Sequence, residues 1–318
     1  MSTSGEHDPR VVVGYDASVS AKVAVGWAAD EAARLGVPLA VVYAVDYTGL
    51  VGGPVSTSPW LPGVSIDEAR RVTEAGARLA RARRPRLSVE ARTEVGSPGT
   101  VLIGESRDAA LVVVGTRGHG DLAGTMLGSV ASRVAAHARC PVVVVRGPEV
   151  SSAARPVVVG VDGSPAAAAA LRAAATRAAE VGVPLRVVCA WVPTAPGGWD
   201  RAYWLAADPQ RDPDDAARAA AGRVAAEAVA EAQRVAPGLR AESRVRGGDP
   251  ATVVLDAAGD AGLVVVGARG RGSLASLFLG SVSHGVVHGA RVPVLVVRAD
   301  GDVGDVSFAE HDSVAVTS

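Results

Sequence analysis

A glycine-rich segment toward the end of the first half carries the clearest chemistry in this sequence. It reads Gly-Thr-Arg-Gly from Gly115, then nine residues, then Gly-Ser from Gly128. Glycines at a strand end let the backbone turn sharply and let a ligand approach where a Cβ would block it. A Gly-Ser pair that opens a helix offers backbone N–H groups, a hydroxyl and the positive end of the helix dipole. The segment is therefore typical of a phosphate site with two walls.

The same segment returns later in the chain. Gly-Ala-Arg-Gly starts at Gly267, and after nine residues Gly-Ser starts at Gly280, which is 152 positions beyond the first copy. Upstream, Val-Val-Val-Gly-Tyr-Asp ends at Asp16 and Val-Val-Val-Gly-Val-Asp ends at Asp162, an offset of 146. Two motifs repeated in the same order indicate a duplicated domain.

Each copy alternates strand and helix patterns. Valine-rich runs separated by helices indicate a parallel sheet that is covered on both faces. We expect a first strand that ends near Asp16, a helix capped by Asp-x-Ser and stopped at Gly36, and a strand over Leu39–Val45. Further on, we expect a helix over 65–83 and a strand over 87–93. Two later helices are expected to begin at Ser97-Pro98 and at Asp249-Pro250, each with a capping side chain.

Composition restricts the class of protein. The chain has 318 residues, 48% of them hydrophobic, and a formal net charge of −1, so nothing global points to nucleic acid or an anionic membrane. No apolar run approaches the roughly 18 residues of a membrane span. Cys140 and Cys189 fall in different halves, so a disulfide framework is not expected. We predict a cytoplasmic protein with a polar linker at 147–155 and a disordered acidic tail at 300–318.

The position of the aspartates suggests how the site is built. In an open parallel sheet, ligands bind beyond the carboxyl ends of the strands, where the strand order reverses. If the first and fourth strands are neighbours, Asp16 and the Gly115 segment face one crevice. The carboxylate would then accept hydrogen bonds from a ribose or a base, while the glycine segment holds phosphates. Arg117 and Arg269 would add positive charge beside it.

Several of these residues also have plain structural explanations. Asp16 can be a helix cap, a ligand contact or both, and Trp27 is expected in the core. His119, His137, His284 and His288 are expected at the surface rather than on a metal. The aromatic residues of the second copy either cover a base or pack on themselves: Trp191, Trp199, Tyr203 and Trp204.

The combined motif resembles the universal stress protein family in its tandem two-domain form. The resemblance rests on Gly-2x-Gly-9x-Gly-Ser with an upstream Val-Val-Val-Gly-x-Asp strand, present in both copies. It implies an α/β fold of two tandem, doubly wound, five-stranded parallel-sheet domains, Rossmann-like and similar to the adenine nucleotide alpha hydrolases. The two domains are expected at 1–147 and 155–299.

The resemblance also implies a ligand and its contacts. It implies ATP, with AMP or ADP as alternatives, accompanied by Mg²⁺, and one nucleotide in each domain. Asp16 and Asp162 are expected to face the adenosine, with Ala44 and Ala190 beside the adenine. The remaining expected contacts are Gly14, Gly115, Arg117, Gly118, Gly128, Ser129, Val130, Gly160, Gly267, Arg269, Gly270, Gly280, Ser281, Val282 and Ser283. Ser283 has Ala131 as its counterpart, so its hydroxyl contact is not expected in the first copy.

Two classes of function compete. One is a nucleotide-dependent stress-response regulator, and the other is a slow ATPase or another nucleotide-transforming enzyme on the same fold. A flavin electron carrier is a third and weaker interpretation. The sequence has no Gly-Lys-Ser/Thr phosphate loop and no obvious base beside its glycine segments. It therefore favours the regulator, with at most weak ATP hydrolysis.

The fifth strand of each copy predicts how the halves assemble. Val142–Val145 and Val294–Val297 are apolar and should lie at sheet edges, which need cover. We expect the two strands to face each other, so that the chain forms a pseudo-dimer. Pairing into a homodimer through other surfaces is a further expectation. Nucleic acid and membranes are not expected as partners.

Overall fold

The computed structural model describes residues 9–46, 65–116, 127–146, 155–193, 214–270 and 279–299. The first half runs β1 Arg10–Gly14, α1 Val19–Leu35, β2 Leu39–Val45, α2 Ile66–Arg83, β3 Val89–Val95, α3 Pro98–Glu105, β4 Ala109–Gly115, α4 Ser129–His137 and β5 Val142–Val145. The second half runs β6 Val157–Gly160, α5 Pro165–Glu180, β7 Leu185–Trp191, α6 Asp215–Val235, β8 Ala241–Gly247, α7 Pro250–Ala257, β9 Leu263–Gly267, α8 Ser281–Gly289 and β10 Val294–Val297. The halves repeat one order of elements, as the duplicated sequence predicts.

Some sequence predictions lie outside these ranges and stay predictions. They are the acidic tail at 300–318 and the side chains of His119, Trp199, Tyr203 and Trp204.

The described strands form one sheet in the order β3-β2-β1-β4-β5-β10-β9-β6-β7-β8. Within each half, neighbouring strands are parallel. The valine-rich centres of β1, β4 and β9 are buried, because helices cover both faces of a doubly wound sheet. The predicted fold class is confirmed.

The two halves join through their fifth strands. β5 pairs with β10 in antiparallel orientation, with Val144 opposite Val294 and Val142 opposite Val296. The same four valines belong to one hydrophobic cluster that draws on both halves. The predicted pairing of the two edge strands is confirmed, and it converts two sheet edges into the middle of a continuous sheet.

Helix α1 shows how the sequence sets its own limits. The Ser18 hydroxyl accepts a hydrogen bond from the Ala21 N–H at 3.2 Å, which caps the start. Gly36 ends the helix with φ 69°, a left-handed conformation that glycine adopts at little cost. The residues on its inner face are small and buried: Ala21, Ala24, Val25, Ala28, Ala29 and Ala32.

Two local predictions need correction, and a third needs refinement. β3 begins at Val89 rather than 87, because the Leu87 N–H donates to the Arg84 carbonyl in a turn that follows α2. Ser97 precedes α3 but makes no side-chain capping bond, whereas Asp249 caps α7 by accepting the Thr252 N–H at 2.9 Å. Trp27 packs against the buried cluster of the first half, but it is only half-buried and also lines clefts between the two halves.

Candidate functional site

The first candidate site lies where the strand order of the first half reverses. β1 lies between β2 and β4, with Val13 opposite both Val41 and Val113. The chain passes from β1 to β2 on one side and reaches β4 on the other. The carboxyl ends of β1 and β4 therefore open into one crevice, as the sequence predicts for a doubly wound sheet.

A cleft of about 300 Å³ occupies this crevice. Its lining includes seven of the residues predicted for the first copy: Gly14, Asp16, Ala44, Gly115, Gly128, Ser129 and Val130. The structure thus brings the end of β1, the end of β2, the end of β4 and the start of α4 to one place. Arg117 and Gly118, also predicted as contacts, lie outside the described residues.

Each aspartate sits in a turn that precedes a helix. Asp16 Oδ1 accepts the Ser18 N–H at 3.0 Å, and Asp162 Oδ1 accepts the Ser164 N–H at 2.9 Å. The cap itself is the serine, because Ser18 and Ser164 accept the first-turn N–H groups of α1 and α5. Asp16 is therefore not the helix cap. Instead, the turn fixes the direction of each aspartate carboxylate.

The two walls of each glycine segment are tied together by the backbone. The Gly128 N–H donates to the Thr116 carbonyl at 2.8 Å, and the Gly280 N–H donates to the Ala268 carbonyl at 2.9 Å. Within the described residues, no side chain caps the start of α4 or α8. The first-turn N–H groups of both helices are consequently open to an anion.

Two of the motif glycines are required by packing as well. A Cβ on Gly115 would lie 2.8 Å from the backbone carbon of Ser20, and one on Gly267 would lie 2.7 Å from that of Ala166. The first turns of α1 and α5 therefore pack directly on the ends of β4 and β9. Close helix contact is thus a reason for these glycines that their spacing alone did not reveal, and their contact with a ligand stays a prediction.

Another glycine connects the motif to the aspartate in the second copy. A Cβ on Gly270 would stand 2.7 Å from Asp162 Oδ2. Gly280 lies against the backbone of Arg269, whose Cα would be 3.3 Å from an added Cβ. The glycine segment, the Asp162 carboxylate and the start of α8 thus lie in close contact at the end of β9.

The remaining predicted contacts of the second copy occupy different environments. Ser281 is exposed and Val282 half-buried at the start of α8. Ser283 is buried, and its hydroxyl donates to the Gly267 carbonyl, which fastens α8 to the end of β9. Ala190 lies near the end of β7, as Ala44 does in β2, and Gly160 ends β6 against Val254. Ligand contact by these residues stays a prediction.

Sequence reasoning missed two tyrosines. Tyr15 and Tyr43 line the first cleft beside Asp16. Burial, and then the negative charge of Asp16, raises the pKa of both hydroxyls. A Cβ on Gly76 would stand 2.7 Å from the Tyr15 ring, so this glycine makes room for it. No repeated signal marked them in the sequence, since Val161 and Cys189 stand at the equivalent positions of the second copy.

The comparison with known proteins follows this geometry. The model of the "Universal stress protein family" matches residues 9–146 and 153–298. This chain belongs to the universal stress protein family. It is 35% identical over 302 residues to Universal stress protein Rv2005c of Mycobacterium tuberculosis, covering 91% of this chain and 96% of that protein. The tandem two-domain form predicted from the motifs is confirmed.

Solved universal stress proteins agree with the fold. One from Archaeoglobus fulgidus has a TM-score of 0.64 at 20% identity, over 91% of this chain and 96% of that chain, which establishes similarity of fold alone. Another, from Archaeoglobus fulgidus in complex with dAMP, is 27% identical with a TM-score of 0.34 and covers 46% of this chain and 98% of its own.

The described part of this universal stress protein contains neither a membrane-spanning helix nor a cluster of metal-binding side chains. None of its described helices combines the length and apolarity needed to cross a bilayer. Nor do three His, Cys, Asp or Glu side chains of that part lie close enough together to hold a metal ion.

Of the two histidines in α8, only His288 differs from the surface prediction. His284 is exposed, but His288 is half-buried, and the two ring centroids are 4.1 Å apart. Burial, the neighbouring His284 and the charge of Arg146 lower the pKa of His288.

Proposed function

We propose that each half of this universal stress protein binds one adenine nucleotide and that occupancy regulates its role in a stress response. ATP is the nucleotide proposed, with AMP or ADP as alternatives. The observation that carries the proposal is the first cleft, where an oriented carboxylate and the start of α4 line one cavity. Among the described residues, no side chain caps that helix start. Its volume of about 300 Å³ lies at the lower end of the range for small-molecule sites.

The carboxylate suits the sugar end of a nucleotide. An ionised aspartate has two oxygens and about four acceptor positions, so Asp16 can accept a ribose hydroxyl while it holds the Ser18 N–H. Ala44 brings the end of β2 to the same cleft, where its backbone can meet a base edge. Tyr15 and Tyr43 give this side of the cleft aromatic walls.

The opposite end suits phosphate. The start of α4 offers the N–H groups of Ser129 and Val130, and the helix dipole places partial positive charge there. The hydrogen bond between Gly128 and Thr116 fixes the position of that start relative to β4. Together these features support a ligand with an anionic end and a polar, hydrogen-bonding end.

Magnesium fits the proposal as a companion of the phosphates. Mg²⁺ keeps several of its waters and is commonly held through substrate phosphates with one or two carboxylates. Asp16 is the carboxylate that the described lining offers. When bound, the ion would neutralise phosphate charge. No observation favours hydrolysis over binding, so we propose a binding and regulatory role. A cytoplasmic location and a homodimer stay predictions from the sequence.

Isothermal titration with ATP tests the proposal on Asp16→Ala and Asp162→Ala. We expect each change to weaken binding in its own half by about 1–3 kcal/mol, the effect of losing a charge-assisted hydrogen bond. Ser18→Ala is the matched control, because it removes the helix cap and leaves the carboxylate. A pair of variants in which Asp16→Ala only lowers the melting temperature, as Ser18→Ala does, would contradict the proposal.

A further inference from the structure

A ring of four charged side chains lies where α1 meets α5 across the junction of the halves. Arg34 donates to Glu31 at 2.6 Å and also to Glu180, while Arg177 donates to Glu31. The Glu31 side chain is only 9% exposed, and those of the other three are 20–25% exposed. These groups are therefore more strongly coupled than ordinary surface ion pairs, which water screens.

The positions of the four residues reveal a symmetry. Both bonds that cross the junction, Arg34 to Glu180 and Arg177 to Glu31, join residues 146 positions apart. The same offset relates Asp16 to Asp162 in the duplicated sequence. Each cross-junction bond thus connects a residue with its own counterpart, as happens beside a twofold axis.

Identical halves could not make these bonds. If two first halves met in this way, Glu31 would face Glu31 and Arg34 would face Arg34. If two second halves met, Arg177 would face Arg177 and Glu180 would face Glu180. In this chain the charges are reversed between the copies, so that every residue meets an opposite charge. Like charges so close together are strongly unfavourable where burial limits screening.

The pairing of β5 with β10 does not by itself distinguish like halves from unlike halves. β5 and β10 contribute Val142–Val145 and Val294–Val297, and three of the four positions carry valine in both strands. A sheet joint of this kind would accept two copies of either strand. At the ring, by contrast, the two surfaces carry opposite charges.

We propose that this ring selects the partner of each half: it favours the other half of the chain and rejects a second copy of the same half. The reversed charges discriminate by repulsion as well as attraction, as specific interfaces do. The surface is separate from the nucleotide clefts, so the proposal is independent of nucleotide binding. Like halves should accordingly pair poorly with each other.

The test uses the full chain with a protease site introduced in the 147–154 segment and cut after folding. Native mass spectrometry then measures which halves are paired. We expect the wild type to hold one first half and one second half together. Glu31→Arg with Arg34→Glu should raise the dissociation constant at least tenfold. Adding Arg177→Glu and Glu180→Arg should restore tight pairing, because opposite charges face each other again.

Mixing cut chains of the double variant and of the wild type tests whether the ring selects the partner. The double-reversed first half carries the charge order of a second half, so it should pair with a wild-type first half from another cut chain. The matched control reverses Glu74 and Arg81, an ion pair 2.6 Å long within α2 of the first half. That control should leave pairing unchanged.

Two results would overturn the proposal. One is wild-type halves that pair equally well with their own copies, and the other is a fourfold variant no better paired than the double variant. If cut halves precipitate, thermal unfolding of the uncut chains decides instead. The double variant should then melt at a lower temperature, and the fourfold variant should return to the wild-type value. Equal melting of the double and fourfold variants contradicts the proposal.

Discussion

The two candidate sites share their backbone and differ in their side chains. In both copies an aspartate accepts the N–H of the serine two residues later, at 3.0 Å in the first and 2.9 Å in the second. In both, a glycine N–H ties the helix start to the strand end. The walls differ, because Tyr15 and Tyr43 in the first copy are replaced by Val161 and Cys189 in the second.

This difference separates the residues that packing requires from the side chains that would contact a ligand. Gly115 and Gly267 are fixed because a helix backbone lies against each of them. The wall positions diverge: the Tyr15 ring packs on Gly76 in the first copy, and Val161 takes its place in the second. We therefore expect both halves to hold the same kind of ligand, with unequal affinity.

The largest expected effect is at Gly270. Gly270→Leu places a side chain where a Cβ alone would come within 2.7 Å of Asp162 Oδ2, so it displaces the carboxylate and fills the second site. We expect ATP stoichiometry by isothermal titration to fall from two per chain to one, with the first site unaffected.

Gly222→Leu is the control for this prediction. Gly222 lies in α6, where an added Cβ meets nothing within 4 Å, so binding should stay at two. Two full sites in Gly270→Leu would show that the glycine segment of the second copy is not part of a nucleotide site.

The next effect concerns the tyrosines. Tyr43→Cys gives the first site the side chain found in the second, and should weaken its ATP binding by about 0.5–1.5 kcal/mol, the usual contribution of an aromatic contact. Cys189→Tyr should change the second site in the opposite direction. Titration of both variants measures the two affinities. Unchanged affinities would mean that the base does not touch this wall.

The sequence predicted the repeated parts of the site better than the divergent ones. Asp16, Gly115 and Gly128 were found because they recur with fixed spacing, and the structure places them in one cleft. Tyr15 was missed, because a tyrosine beside a strand end has no periodic signal. Its role emerges only from the fold, which sets Gly76 against its ring.

The same contrast holds for the fold. The pairing of β5 with β10 was predicted from two apolar strands that needed cover, whereas valine runs alone do not set the strand order. The charge ring was not predicted, since it depends on two helices 146 positions apart meeting face to face. Trp27 packs against the core of the first half as predicted, but its place at the junction was not visible from its helix alone.

A smaller effect is the pH dependence of stability that His288 gives to α8 and that α4 lacks at the equivalent position, Ala136. Because the pKa of His288 is lowered in the folded protein, unfolded chains bind its proton more readily. Stability should therefore fall as the pH drops from above the ordinary histidine value through the lower folded value. His288→Ala copies Ala136 of α4 and should reduce this loss. Thermal unfolding measured between about pH 8 and pH 5, on both sides of the ordinary histidine pKa of roughly 6.5, gives this loss of stability. An equal acid loss in variant and wild type would contradict the assignment.

The smallest expected effect lies in the turn after each aspartate. Ala17 has φ 66°, a left-handed conformation, and its counterpart Gly163 has φ 80°. Ala17→Gly should stabilise the chain by about 0.5–1 kcal/mol, because the strain of about 1–2 kcal/mol exceeds the entropy cost of glycine. Gly163→Ala should destabilise it by a similar amount. Urea unfolding midpoints that move in the reverse directions would contradict this account of the turn.

The central claim is that the chain carries two adenine nucleotide sites, one in each half. The most direct measurement is mass spectrometry of the nucleotide released when the protein is saturated with ATP, freed of excess ligand and denatured, with the amount counted per chain. The account predicts close to two adenine nucleotides for the wild type, fewer for Asp16→Ala or Asp162→Ala alone, and the fewest for the double variant, because each change weakens one site. An unchanged count in the double variant, or no adenine nucleotide in the wild type, would contradict it.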